Sequence, residues 1–150
     1  MFRGNFEHTI DKKGRLSIPA KFREVLTNKN SNHLMVTNFV VGGERCLEVY
    51  PIDEWSRLEE NVRTKPQFDD RVVKFQNYYL ARGVPCELDA HGRILIPPAL
   101  RDYAELKRDV VLASALVKFR VWDHEKWQRI FEEAEAKLMQ EPDFLGELGI

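Results

Sequence analysis

The residues with the most chemical content stand in two blocks of one pattern. Asp11-Lys12-Lys13-Gly14-Arg15 leads into Leu16-Ser17-Ile18-Pro19, and Asp89-Ala90-His91-Gly92-Arg93 leads into Ile94-Leu95-Ile96-Pro97, an offset of 78 residues. Aspartate followed three positions later by glycine predicts a type I turn with a left-handed bulge residue, so Asp11, Asp89 and Gly92 are read as turn-building residues. The arginine just past each turn can do one of two things. It can close an ion pair with the aspartate four residues before it, Asp11 with Arg15 and Asp89 with Arg93, and simply hold the hairpin. Alternatively it can offer its planar fork of donors to an acceptor-rich partner, with Lys12 and Lys13 adding charge at the first turn. The spacing supports both.

Other chemistry has no foothold. There is no nucleophile-elbow serine motif, P-loop, dinucleotide-binding glycine fingerprint or zinc-protease His-Glu-x-x-His. His8, His33, His91 and His124 are scattered without ligand spacing, and the neighbouring pair Asp89 and His91 is better explained by the turn. Cys46 and Cys86 lack metal or redox spacing and read as reduced core thiols. We therefore expect no enzyme, metal, cofactor or small-molecule substrate.

The elements that must position the blocks follow from periodicity. Phe6, His8 and Ile10 alternate as in a half-buried strand, as do Leu16 and Ile18, and Pro19 opens a short helix with Phe22, Val25 and Leu26 on its apolar face. Arg23 and Arg101 fall on these short helices, where solvation or pairing with nearby acids is expected. Strands are predicted near 33–39 and 46–50, around Gly42-Gly43. A second match, Val49 to Trp55 against Val121 to Trp127, has an offset of 72, which gives the first copy six extra residues. The Val41-Gly42-Gly43-Glu44 loop is the expected place for them. Each copy thus reads strand, turn, strand, short helix, strand, strand. Longer helices are marked by Trp55, Leu58 and Val62, by Val72, Phe75, Gln76 and Tyr79 after a break at Thr64-Lys65-Pro66, and by Trp127, Ile130, Phe131, Ala134 and Leu138. The expected organisation is a first repeat over 5–54, a helical connector over 55–82, a second repeat over 83–126, and a C-terminal helix with a frayed acidic tail over 127–150.

At 150 residues, with 43% hydrophobic and 31% charged side chains, the chain can bury a core, which excludes a disordered polar chain and a disulfide scaffold. No run approaches the roughly 20 apolar residues of a membrane helix, and the N-terminal residues lack a signal-peptide apolar region, so a cytoplasmic protein with no membrane partner is expected. The net charge of −1 conceals an uneven distribution. Residues 1–30 carry a net +4, and residues 123–150 a net −5.

The two blocks, the opening Met1-Phe2-Arg3-Gly4, and the Tyr50-Pro51-Ile52-Asp53-Glu54-Trp55 and Phe119-Arg120-Val121-Trp122-Asp123 segments resemble the MraZ family over nearly the whole chain. The resemblance implies an α+β fold, a duplicated swapped-hairpin AbrB-like β-barrel with pseudo-two-fold symmetry and flanking helices. It further implies a DNA-binding transcriptional regulator, nucleoid-associated and mainly a repressor. Such a regulator forms ring-like homo-oligomers and binds tandem short G-rich repeats in the promoter of its own division and cell-wall gene cluster. The chain departs from the family pattern at Leu116, Val117 and Arg120, where members often carry Gly and Asn ahead of the last strand and an acid within it.

With double-stranded DNA as partner, Arg15 becomes the leading contact, because a two-stranded ribbon fits the major groove and arginine pairs with guanine O6 and N7. Lys12 and Lys13 would meet phosphates, Gly14 would allow close approach, and Arg3 could extend the surface. Arg93 has less electrostatic support, since Ala90 and His91 replace the lysines, so the first repeat is expected to carry most of the contact. One arginine–guanine contact discriminates by about 1–3 kcal/mol, whereas a specific regulator needs roughly 4–10 kcal/mol, which calls for several subunits. The competing class is an antitoxin-like or scaffold protein that docks another protein through the acidic C-terminal helix.

Overall fold

The computed structural model describes residues 1–150. In chain order the first half contains β1 (Asn5–Thr9), β2 (Arg15–Ser17), α1 (Ala20–Asn28), β3 (His33–Val41), β4 (Glu44–Pro51), α2 (Ile52–Arg63) and α3 (Asp70–Phe75). A π-helical stretch, Gln76–Leu80, continues α3. The second half contains β5 (Val84–Glu87), β6 (Arg93–Leu95), α4 (Pro98–Tyr103), β7 (Asp109–Ala115), β8 (Lys118–Asp123), α5 (His124–Leu138) and α6 (Pro142–Glu147). The strand, turn, strand, helix, strand, strand order therefore occurs twice.

The chain is α+β, and the pairing runs between the repeats as much as within them. Six strands form one antiparallel sheet in the order β1-β7-β8-β4-β3-β5, and β2 pairs with β6 in a separate ribbon. Exchanging equivalent strands of the two repeats reproduces the same order, which defines a pseudo-two-fold axis between β4 and β8. The first strand of each repeat lies on the third strand of the other, with Phe6 opposite Leu112 and Cys86 opposite Leu34. The sheet keeps two free edges, β1 and β5, and does not close into a barrel; β1 and β2 are joined by an isolated Ile10–Leu16 bridge and by a 2.7 Å hydrogen bond between His8 Nδ1 and the Ser17 carbonyl.

The alternation of side chains builds a core on each side of the sheet. Leu47 and Val49 on β4, with Phe119 and Val121 on β8, join Leu16, Ile94, Phe22 and Leu100 in one cluster, so the ribbon and the short helices cap one face. On the opposite face Cys46, Val111 and Trp122 pack under Trp127 and Ile130 of α5, and Tyr50 packs with Trp55 and Tyr79. Covered on both faces, β4 is buried at six consecutive positions and reads as a continuous rather than an alternating strand. Burial pushes the Cys46 thiol up to about 12 and that of Cys86 up to about 11. Both are free cysteines inside the structure.

Buried polar groups tie the connector to the sheet. Thr37 Oγ1 and Asn38 Nδ2 donate to the carbonyls of Tyr79 and Tyr78, which close the π-helical stretch. The buried Glu48 carboxylate accepts from the Tyr79 hydroxyl, from Lys118 Nζ at 3.0 Å and from Arg120 Nε at 2.7 Å. Arg120 thus occupies the β8 position as the partner of a buried acid. Asp123 caps α5 by accepting from the Lys126 amide, the structural use of the Trp122-Asp123 pair.

Two expectations are corrected. The Val41–Glu44 segment is a two-residue hairpin turn with Gly42 and Gly43 at φ +58° and +79°, too tight to hold extra residues. Four of the six extra residues instead lengthen β3 and β4, nine and eight residues against seven and six in β7 and β8, and the other two precede β3. The tail is not wholly frayed: Pro142 sits in the first turn of α6, where its fixed φ favours helix. From Phe131 onward, however, α5 and α6 are almost entirely exposed.

Candidate nucleic-acid interface

The two turns are built alike. Gly14 N donates to the Asp11 carbonyl at 2.9 Å, and Asp11 Oδ1 accepts from the amides of Lys13 and Arg15, both at 2.9 Å. Asp11 Oδ2 accepts from Arg15 Nε at 2.7 Å. In the second turn Asp89 Oδ1 accepts from the His91 and Arg93 amides at 2.8 and 3.0 Å, and Oδ2 accepts from Arg93 Nε at 3.0 Å. The two chemical readings of the aspartate–arginine spacing are therefore compatible. The aspartate uses only Nε, and Nη1 and Nη2 of each arginine make no hydrogen bond within the chain.

Strand pairing brings these arginines together. Arg15 lies opposite Leu95, Leu16 opposite Ile94, and Ser17 opposite Arg93. Leu16 and Ile94 point into the core, so Arg15, Ser17, Arg93 and Leu95 share the outer face. Diagonal neighbours on an antiparallel pair are about 7–8 Å apart, which sets the spacing of Arg15 and Arg93. Leu95 is 58% exposed between them. Arg93 thus stands as Arg15's structural counterpart, and Lys12 and Lys13 are exposed at the first turn.

Each turn is also clasped by the other repeat. Gly14 O accepts from Ile96 N and Gly92 O from Ile18 N, both at 2.9 Å. A Cβ at Gly14 would stand 2.8 Å from the Arg101 guanidinium, and one at Gly92 would stand 2.8 Å from Arg23, so these glycines admit a cross-repeat arginine as well as a positive φ. Arg101 Nε and Arg23 Nε donate to the carbonyls of Ile96 and Ile18, both at 3.1 Å. Neither is paired with an acid; Arg23 stays exposed to solvent, one of the two expected outcomes, while Arg101 is half-buried. Sequence spacing could not reveal that role, because each contact joins residues about 70–90 positions apart. Arg3 is not brought to the ribbon: it lies at the far end of β1, beside Lys21 and Lys29, where Phe2 N donates to Leu116 O.

The turn geometry predicts an acid limit. Asp11 is held below the ordinary carboxyl range first by the Arg15 amide, then by its side chain, and Asp89 likewise first by the Arg93 amide. A depressed folded value stabilises the turn fully above the unfolded value of about 3.9, and that contribution disappears as pH falls through the folded value. Carbon-13 titration is expected to place both midpoints below that of an exposed aspartate, with the Lys13 and Arg15 amide shifts moving with Asp11. A midpoint at or above about 3.9 would contradict the turn's hydrogen bonding.

No helix is long and apolar enough to cross a membrane, and no group of three or more His, Cys, Asp or Glu residues is placed to hold a metal ion. Together the fold and the ribbon define a duplicated α+β protein that presents paired arginines on an outward two-stranded ribbon. The family model described as "MraZ protein, putative antitoxin-like" matches residues 1–76 and 80–144. The chain belongs to the MraZ family. It is 40% identical over 138 residues to a protein of Natranaerobius thermophilus, covering 91% of this chain and 90% of the relative. It is 37% identical over all 150 residues to one of Caldanaerobacter subterraneus. A protein of Pseudomonas fluorescens is 37% identical over 142 residues, 95% of this chain and 92% of the relative. All three carry the name transcriptional regulator MraZ.

Proposed function

We propose that this protein is a sequence-specific regulator of transcription that reads double-stranded DNA with the β2–β6 ribbon. The observation that carries the reading is the pair Arg15 and Arg93 on one outer face, each anchored through Nε with both terminal amino groups free. A free Nη pair can donate to O6 and N7 of guanine, and a two-stranded ribbon fits the major groove. Lys12 and Lys13 meet phosphates, Asp11, Asp89 and Gly92 hold the turns, and Leu95 offers the apolar surface that suits a thymine methyl. No reaction, metal, cofactor or small-molecule substrate enters this reading.

The cross-repeat pairing favours describing 5–54 and 83–126 as two fused AbrB-like units with swapped hairpins, joined by 55–82 and followed by 127–150. As the family resemblance implies, the targets are tandem short G-rich repeats in the promoter of the protein's own division and cell-wall gene cluster, bound mainly in repression at the nucleoid. Two arginine contacts per chain supply about 2–6 kcal/mol of discrimination against the roughly 4–10 kcal/mol required, so several chains act together. A ring-like homo-oligomer meets that need, and Phe131 on the unpacked end of α5, Met139 just past it and Phe144 on α6 are exposed apolar groups available to it.

The test is fluorescence anisotropy on duplexes of tandem G-rich repeats. Repeats spaced about 10–10.5 base pairs apart face one side of the helix, so tight binding is expected in phase and lost when one repeat is moved by half a turn. Equal affinity for both spacings would sink the multi-subunit reading. Equal weak binding to repeats and to scrambled DNA would instead favour a protein-docking scaffold acting through the acidic α5 and α6.

A further inference from the structure

The two ends of the ribbon are unlike in charge although they are alike in fold. At the first turn a cleft of about 470 Å³ is lined by Lys12 from the turn, Arg101 from α4, and Lys107 and Arg108 from the segment leading to β7. Its one acid is Asp11, whose two oxygens are already taken by the turn amides and by Arg15. Arg101 uses only Nε internally, and the Arg108 side chain makes no hydrogen bond. Lys107 has a single acidic neighbour, the exposed Glu125 at 4.0 Å.

The pseudo-equivalent positions at the second turn carry little of this charge. Ala90 replaces Lys12, and in the strand register, where Ile10 N donates to Arg108 O and Leu88 N to Asn32 O, Asn32 replaces Arg108 and Ser31 replaces Lys107. Cations of both repeats therefore converge on one end of the ribbon.

We infer that the cleft formed by Lys12, Arg101, Lys107 and Arg108 seats one phosphodiester of the DNA backbone, at one end of the ribbon only, and so fixes the direction in which each chain lies on its site. The inference rests on the ribbon being the DNA-reading element. A near-symmetric pair of arginines can dock either way round on a duplex. A phosphate seat at one end makes one orientation the stronger, because backbone contacts set register and orientation while base contacts set sequence.

The test uses the full chain carrying Lys107→Ala with Arg108→Ala, beside Arg57→Ala with Arg63→Ala, which removes equal charge from α2. Losing one phosphate contact lowers the salt slope of binding by about 0.9 per chain and weakens affinity about five-fold at 0.15 M salt. The expected result is that loss, equal on repeat and scrambled duplexes, for the cleft variant and not for the α2 variant. An iron chelate on Ala90→Cys, with both native cysteines buried, is expected to cut DNA on one side of each repeat, and on both sides once the cleft is removed. Unchanged slope and one-sided cutting in the cleft variant, or equal losses in the two variants, would overturn the seat while an Arg15→Ala defect left the ribbon reading standing. No preference of the unsubstituted protein for the repeats would overturn that reading and the seat with it. Saturable binding of inorganic pyrophosphate at the cleft without any change in DNA affinity would assign it to a free anion and overturn the proposal.

Discussion

Arg15→Ala is expected to abolish repeat-specific DNA binding while leaving the fold intact. One arginine–guanine contact is worth about 1–3 kcal/mol, a factor of roughly 5 to 150 per chain. The factors multiply when linked chains occupy neighbouring repeats, so two repeats at the middle of that range lose about a thousand-fold. Folding is spared because Asp11 keeps its amide hydrogen bonds from Lys13 and position 15, and the half-buried Arg15 side chain lies on the outer face of the ribbon. Stability should fall by no more than about 1 kcal/mol, the cost of losing one near-surface ion pair. Anisotropy on repeat and scrambled duplexes, with the melting curve of each protein, checks both halves. Specific binding retained within a factor of about two would remove Arg15 from the interface and return it to a purely structural partner of Asp11.

Phe22→Ala is expected to produce the largest loss of stability, about 3–5 kcal/mol. The ring is fully buried and meets Phe2 and Phe6 edge-on at 5.2 Å and Phe119 at 4.8 Å. These partners come from the N-terminal segment, β1 and β8, so the void would open where both repeats share one core. Rigid strands on one side limit its collapse, which keeps the cost near the upper end of the range. For a chain of this size the midpoint of thermal unfolding should fall by about 6–20 °C. Calorimetry or denaturant unfolding provides the measurement, and a loss below about 1.5 kcal/mol would mean that the site repacks.

Legibility in the sequence depended on range. The turns at Asp11 and Asp89 could be read from five residues, because the aspartate, the amides it accepts from and the left-handed glycine all lie within one turn. The helices marked by Trp55 and Trp127 were legible for the same reason: periodicity is a local property of the chain. The aspartate–arginine spacing was ambiguous between an ion pair and a presented guanidinium. Only side-chain geometry separates Nε, which the aspartate holds, from Nη1 and Nη2, which it leaves free.

The positions of Arg3, Arg23 and Arg101 were not legible. Arg3 precedes β1 and is near the ribbon in sequence, yet a strand of five extended residues carries it to the other end of the sheet. Arg23 and Arg101 lie on short helices with acids close in sequence, but each crosses to the opposite repeat's glycine. The extra length of the first copy is not legible at Gly42-Gly43, because a tight two-residue turn and a longer loop share the same residues.

By itself the sequence determined the duplication, the order of elements within each copy and the hydrogen-bonding chemistry of both turns. These follow from contacts within a few residues of one another. Tertiary structure alone decided that β1 lies on β7 and β5 on β3, that Arg15 and Arg93 share one face, and that Lys107 and Arg108 stand beside Lys12. Such pairings join segments about 50–100 residues apart, where several antiparallel arrangements satisfy the same alternation. The choice among them is made by which one buries both faces of the shared sheet at once.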